Sequence, residues 1–293
     1  MDFVGRRKIW YAISLVIIIP GLIALMLHGL NLGIDFTGGT IINLKFNQPV
    51  TTTEVSEVLK SFDLGENVPI QVANDNTVLI RTKALEQEQT DQIVRAFQAK
   101  YGQVTVLRVE KVGPVVGKEL TMKAIYSVLV ASVLMLIYIT FRFEFKFGVA
   151  AVIALLHDVL VVLGVFALLR IEVDSSFIAA LLTILGYSIN DTIVIFDRIR
   201  ENRKIMPKAS VEDLVNRSIT QTLTRSINTV LTVVFTLVAL LLFGGETTKI
   251  FVLAMLIGVI SGCYSSICNA SPLWVDFNLL SKRKKRMVAT ATR

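Results

Sequence analysis

Three ionisable side chains lie deep inside apolar runs of the sequence, and they are the residues best placed to do chemistry. Asp191 belongs to the stretch SINDTIVIFDRIRENR, residues 188–203, several positions before that run turns polar. Asp158 follows His157 in a second apolar run, and Arg225 stands near the start of a third. A full charge at the centre of a bilayer costs about 2.5–3.5 kcal/mol on insertion scales, so such residues are buried, paired or used. The chemistry open to a carboxylate and a guanidinium in that setting is proton binding. In general, desolvation favours a protonated acid and a nearby guanidinium favours an ionised one, so relative movement of the two loads and unloads a proton. The same pair would also serve as a structural staple between helices. The residues alone leave both readings open.

Helical spacing groups further polar residues with these three. On a helix, Gln221, Arg225, Asn228, Thr229, Thr232 and Thr236 fall within about 100° of one another, a polar stripe along most of one run. Tyr187 and Ser188 share a face with Asp191. The two runs are antiparallel, which predicts Asp191 and Arg225 at similar depth, meeting in a site that hydroxyls and amides keep hydrated. Asp158 has only Ala154, Val161, Val162 and Val165 around it on its own helix. It therefore takes a partner from another helix or carries a proton, as relay or as structural glue. His157 points about 100° away and reads as a packing or interface residue. In the last run Gly258 and Gly262 form a GxxxG pair, with Ser261 and Ser265 beside them. Small residues of this kind let helices approach closely, within the chain or against a second subunit.

The elements that must position these residues follow from hydropathy. The chain has 293 residues, 53% of them hydrophobic, and a mean hydropathy of +0.64, beyond the range of ordinary soluble domains. Six segments are long enough to span a bilayer of about 30 Å: Ile9–Leu30, Leu120–Phe141, Phe147–Leu169, Phe177–Phe196, Leu223–Phe243 and Ile250–Val275. The class is a polytopic α-helical membrane protein. Arg6-Arg7-Lys8 precede an apolar run too long for a signal-peptide core, so the first segment reads as an uncleaved span. Pro20-Gly21 within it predict a kink.

Basic residues mark one side of the membrane. Arg6, Arg7, Lys8, Arg142, Lys146, Arg198, Arg200, Arg203, Lys204, Lys208, Arg217 and Lys282–Arg286 collect there, against Arg170 and Lys249 in the short loops of the other side. The basic side is expected to be cytoplasmic, with both termini on it. The run Lys282–Arg286 reads as an anchor at anionic lipid, with contact to a cytoplasmic partner or RNA as the alternative. Cys263 and Cys268 form no disulfide framework and are too few for a metal site.

One large loop remains. The expected organisation is residues 1–30 as N-terminus and first span, 31–119 as an external domain, 120–275 as spans two to six, and 276–293 as a basic tail. Within the loop Thr40–Phe46 alternates as a strand should. Thr51-Thr-Thr-Glu54 is a helix start of the capping-box kind, continued by Val55, Val58, Leu59 and Phe62. Val68–Val72 and Thr77–Thr82 are two strands across the turn Asn74-Asp75-Asn76. Gln87–Tyr101 is helical and Gln103–Val109 alternates again. The order βαββαβ is that of a ferredoxin-like split unit, and about 80 residues suffice for a small core. It holds no His or Cys, so no catalytic set is visible.

Two motifs resemble a known family. Gly33-Ile34-Asp35-Phe36-Thr37-Gly38-Gly39, just past the first span, looks like the signature of the SecD/SecF secretion proteins, a branch of the RND (resistance-nodulation-division) superfamily. Asn190-Asp191, then Phe196-Asp197-Arg198-Ile199-Arg200-Glu201-Asn202, and Thr224-Arg225 resemble the SecF side of that family. The resemblance covers the whole chain. It implies an accessory subunit of the bacterial Sec translocon in the inner membrane, paired with SecD, whose six spans would complete a pseudo-symmetric bundle. It implies the SecYEG channel, unfolded preprotein on the outer side and membrane lipid as further contacts, with YajC and YidC as additional partners. It implies that proton flow drives late preprotein movement, with Asp191 and Arg225 on the proton path.

No Gly-x-x-x-x-Gly-Lys-Ser/Thr phosphate loop occurs, so nucleotide hydrolysis is not expected. Neither are a cofactor, a metal, a nucleic-acid ligand or an enzymatic activity. Two other functions compete with the proton-driven one. A small-molecule exporter of the same superfamily would need a larger external region with an apolar cleft. A passive assembly factor would keep Asp191 and Arg225 as structural groups only.

Overall fold

The computed structural model describes residues 2–62, 64, 68–72 and 76–291, with side chains left out at 114, 246, 247 and 282–291. Asn74 and Asp75 of the expected turn therefore lie outside the described residues, as do the side chains of Lys282–Arg286. In chain order the elements are α1 (Arg7–His28), β1 (Asn31–Leu32), α2 (Ile34–Thr37), β2 (Gly39–Phe46) and α3 (Thr52–Leu59). Then follow β3 (Ile70–Val72), β4 (Thr77–Thr82), α4 (Gln87–Tyr101), β5 (Val104–Val112), α5 (Pro114–Arg142), α6 (Phe145–Leu168) and β6 (Glu172–Val173). The chain closes with α7 (Ser175–Ile205), α8 (Val211–Phe243), α9 (Glu246–Ser265), a π-helical segment Ser266–Ala270, and α10 (Ser271–Ala291). Two compact units result: Met1–Asn31 with Ile125–Arg293, and Leu32–Ala124.

Six helical stretches among the described residues are long and apolar enough to cross a membrane. Each expected span falls on one of them. α7 and α8 outrun the expected spans, with 31 and 33 residues. At about 1.5 Å per residue each exceeds a hydrocarbon layer of about 30 Å. Hydropathy registers only the length that lipid can cover. The helices continue because their polar ends hold each other: Asn202 Nδ2 donates to Ser218 Oγ at 2.9 Å and to Gln221 Oε1 at 2.8 Å. Their starts are fixed by side-chain caps, Asp174 accepting from Phe177 N–H and Ser210 from Asp213 N–H, which satisfies otherwise orphaned donors.

α6 is the central helix of this unit. It buries Ala150, Ala151, Ala154 and Leu155 along one side and Phe147 at the basic end. Phe147 stacks on Trp274 and tilts against Phe196, ring centroids 4.5 Å apart in both pairs. α1 approaches α6 through facing glycines. A Cβ built on Gly21 would meet Gly164 Cα at 2.5 Å, so Gly21 serves close packing, with Pro20 inside the same continuous helix. The outward faces of α1 and α5 are apolar and exposed, from Ile9 to Leu27 and from Met122 to Phe141, as surfaces in contact with lipid must be.

The last span is not the single α-helix that the sequence predicts. A π segment at Ser266–Ala270, wholly buried, divides it. Ser271 Oγ takes up one of its carbonyls, donating to Ser266 O at 3.0 Å, while Ser266 Oγ ties the segment to α7 by donating to Ser188 O at 3.2 Å. Such an insertion persists where side chains replace the lost ladder bonds.

The other unit has the order βαββαβ. Its antiparallel sheet runs β3-β4-β2-β5, and Ile42, Leu44, Phe46, Val78 and Ile80 join Val55, Ile93 and Phe97 in the core. The capping box of α3 is present in both directions between Thr51 and Glu54. The Thr51 N–H and hydroxyl hold the Glu54 carboxyl below the usual carboxylate range. The signature Gly33–Gly39 forms the short α2 and the start of β2. Gly33 caps α2, Asp35 and Phe36 lie in it, and Gly38 ends it at φ 75°. Gly39 adopts φ 149°, and a Cβ there would lie 2.5 Å from Thr82 O. A side chain on Gly117 would meet Phe36 O, also at 2.5 Å. The glycines are thus dictated by backbone meeting backbone.

Candidate functional site

α7 turns Tyr187, Ser188, Asn190 and Asp191 toward α8 and α9. Asp191 is 7% exposed. Beside it is a crevice of about 10 Å³, lined also by Thr229 of α8 and Cys263 of α9, room for about one water molecule. On the basic side of this crevice a wider cleft of about 670 Å³ opens between α7 and α8. Its walls include Asn190, Asp197, Arg200, Glu201, Gln221 and Arg225, so Asn190 lines both spaces. Exposed ion pairs surround the mouth: Arg142–Asp197 at 3.6 Å, Arg198–Glu201 at 2.9 Å and Arg203–Glu144 at 2.8 Å.

Asp191 and Arg225 do face adjoining spaces at the same level, yet they are not joined. Among the described residues no ion pair within 4.0 Å links them, although the guanidinium is near enough to act on the carboxylate through space. Ser226 also approaches Asp191, but without a well-aligned hydrogen bond, and its buried hydroxyl has no other partner. This arrangement differs from the expected contact pair. Arg225 instead lines the wider cleft and is exposed in the isolated chain.

The polar stripe of α8 faces out of the chain. Gln221, Arg225, Asn228, Thr232 and Thr236 are exposed, and Thr229 is half-buried at the crevice. The threonines are satisfied by their own helix: Thr229 donates to Arg225 O, Thr232 to Thr229 O and Thr236 to Thr232 O, at 2.8–3.0 Å. Gln221 accepts from Asn202. Arg225 and Asn228 make no hydrogen bond among the described residues.

Asp158 is fully buried, 0% exposed, and its partners come from two other helices. Ser188 Oγ of α7 donates to it at 2.6 Å, and Ser261 and Ser265 of α9 donate at 2.7 and 2.8 Å. His157 Nδ1 lies 3.0 Å from the same carboxylate. His157 is buried and packs near the Tyr264 ring, and in addition it reaches Asp158, which its position about 100° round the helix did not predict. Its backbone vector diverges, but the ring folds back to the neighbouring side chain, leaving Nε2 buried and unpartnered.

The small residues of α9 face inward. Gly258 lies under Ile184, and a Cβ on Gly262 would come within 2.9 Å of Ser188 Cβ. The two glycines seat α9 on α7, while Ser261 and Ser265 tie it to Asp158 of α6. The sequence reading that offers them to a second subunit is corrected: this surface is covered within the chain, and the polar face left open belongs to α8. Asn190 and Asn202 entered the sequence reading only as part of the family resemblance, and Cys263 only as a cysteine too few for a metal site; Ser226 was passed over, and it carries no signal that periodicity reveals.

Comparison with known proteins gives a consistent picture. A family profile described as "Protein export membrane protein SecD/SecF, C-terminal" matches residues 92–279, and the "SecD/SecF GG Motif" matches residues 23–50. The "Protein translocase subunit SecF" of Acidaminococcus fermentans is 46% identical over 289 residues, covering 96% of this chain and 99% of that protein. The "Protein translocase subunit SecDF" of Bacillus subtilis is 41% identical over 279 residues, 94% of this chain but 38% of the longer one. The crystal structure of SecDF, a translocon-associated membrane protein from Thermus thermophilus, superposes with a TM-score of 0.88 at 39% identity, over 95% of this chain and 38% of that one. By sequence, signature and fold alike, the chain belongs to the SecD/SecF family of protein export membrane proteins.

Proposed function

We propose that this chain uses the proton-motive force to promote the late stage of preprotein movement across the bacterial inner membrane. Its role as a multi-pass accessory subunit of Sec protein export rests on the family membership, and the fused SecDF relatives indicate pairing with a SecD half. The proton-driven part rests on one observation. Asp191 is a buried carboxylate in a crevice with room for about one water, and Arg225 lines the wider polar cleft that shares Asn190 with it, with no ion pair between the two among the described residues. A carboxylate in that position takes up and releases protons as Arg225 nears or leaves it. One proton crossing 100 mV carries about 2.3 kcal/mol, enough to shift a two-state element tens of fold.

In this reading the SecD half covers the open stripe of α8, both termini are cytoplasmic, and the Leu32–Ala124 unit works on preprotein emerging from SecYEG. YajC and YidC are further partners of the same assembly. Asp158 belongs to the same proton system. Among the described residues no ion pair joins Asp191 and Arg225, which supports this reading over a passive assembly factor that uses the two as a staple.

The test is gradient-dependent export in membrane vesicles carrying the complex. Asp191→Asn should assemble with its partner and lose the response to the proton gradient. An Asp191→Asn complex that still responds fully would sink the proposal.

A further inference from the structure

Ser188 touches everything in the centre of the helical unit. Its Oγ donates to Asp158 at 2.6 Å. The same side chain lines the crevice of Asp191. Its carbonyl accepts from both Thr192 and Ser266, and its Cβ abuts Gly262. These bonds fix the residue against a packed helix, so Ser188 is bonded to one buried carboxylate and shares a crevice with the other. Ser261 and Ser265 also donate to Asp158, but neither lines the crevice.

We infer that Ser188 is the relay that passes a proton between Asp191 and Asp158, making Asp158 a second proton-holding site behind the first. The inference rests on the proton-coupled reading of Asp191. In the forward step Asp191 releases its proton to the crevice water, which gives one to the Ser188 oxygen. The Ser188 O–H proton moves to Asp158. Asp191 ends ionised, Asp158 ends protonated, and Ser188 is again a neutral hydroxyl, so charge and atoms balance. His157 Nδ1, 3.0 Å from Asp158, and the unpartnered Nε2 behind it give the proton's charge a polarisable neighbour. The other titratable or charged groups around the pair are Tyr187 on α7, Arg225 on α8, and Cys263 and Tyr264 on α9. On α1, Tyr11 is turned away to Asp276.

Three single substitutions separate a relay from a mere donor, all measured in the complex with its partner. Ser188→Ala, Ser261→Ala and Ser265→Ala each remove one hydrogen bond to Asp158, and only the first interrupts the path. Gradient-driven export should fall by tenfold or more in Ser188→Ala and by a few-fold at most in the other two. Equal losses in all three would overturn the relay. Infrared difference spectra after a pH step supply a readout independent of export and of partner assembly. The carboxyl bands of the two acids are identified by their loss in Asp158→Asn and Asp191→Asn. In Ser188→Ala the Asp191 band should still respond while the Asp158 band lags at least tenfold; an unslowed Asp158 band overturns the relay. The wider reading fails separately, if Asp191→Asn leaves gradient-driven export intact.

Discussion

Gly262 and Ser188 meet where α9 crosses α7, so closely that a Cβ on the glycine would lie 2.9 Å from Ser188 Cβ and 3.2 Å from Ser188 Cα. Backbone on one side and a rotamer-locked side chain on the other leave nothing that can yield cheaply. Gly262→Ala should therefore lower the stability of the helical unit by about 1–3 kcal/mol. Gly186→Ala, where a Cβ meets nothing within 4 Å, should be neutral or stabilising by up to about 1 kcal/mol. Unfolding of the detergent-solubilised chain, followed by the fluorescence of Trp10 and Trp274, compares the two. Equal effects would contradict the packing described.

Asp158 holds three hydroxyls in place. Asp158→Ala should strand Ser188, Ser261 and Ser265 without their acceptor and destabilise by about 3–5 kcal/mol. Asp158→Asn keeps the shape and one acceptor oxygen and should cost about 1–2 kcal/mol. The same unfolding measurement distinguishes them. An Ala variant as stable as wild type would mean that the serines find other partners.

Arg225 is exposed and makes no hydrogen bond or ion pair among the described residues, so its loss should leave the fold alone. Arg225→Met is expected to change the stability of the isolated chain by less than about 0.5 kcal/mol, yet to abolish the gradient response of the complex. Adding Asp191→Asn should cost little more than either change alone, because both disable one unit. Recovery of export in the double variant would show the two residues to be a staple after all.

The capping box of α3 ties local stability to pH. Glu54 is held by the Thr51 N–H and hydroxyl, which lowers its carboxyl in the folded state. The stabilisation is thus present above the unfolded value of about 4.3 and is lost as pH falls through the lower folded value. Thr51→Ala should weaken α3 by about 1 kcal/mol at neutral pH and by less in acid. Hydrogen exchange of the α3 amides at pH 7 and pH 3 reads this directly. A penalty unchanged at pH 3 would remove Glu54 from the account.

Orientation is open to a labelling experiment. Gln48 is exposed on the Leu32–Ala124 unit. In a chain with Cys263 and Cys268 replaced by Ser, Gln48→Cys should react with an impermeant thiol reagent added outside the inner membrane. Reaction only after the cytoplasmic face is opened would reverse the proposed topology.

Spans and the βαββαβ unit were legible because each is a periodic pattern of apolar residues, and burial enforces the period. The π segment was not, because Ser266–Ala270 changes hydrogen bonding without changing hydropathy. The donor set around Asp158 was hidden for a different reason. Ser188, Ser261 and Ser265 come from two helices, and serine in a membrane helix is as ordinary at a packing contact as at a polar site. The GxxxG pair was visible, but its partner helix was not, since close packing says nothing about whose backbone approaches. Gaps of this kind are inter-helical, and a single sequence records periodicity only within a helix.

The open stripe of α8 bears on how much of this protein a cell keeps. Until a companion covers it, Arg225 and Asn228 face hydrocarbon, a burden of about 2.5–3.5 kcal/mol for the arginine alone. A subunit synthesised in excess thus carries its own mark of being unclaimed, in the form of a span that sits poorly in lipid. Its lifetime should track the supply of the other half. Pulse-chase decay of the chain, faster without the SecD subunit and slowed by Arg225→Leu, is the expected signature; decay indifferent to both would mean the stripe is sheltered by lipid headgroups and water instead.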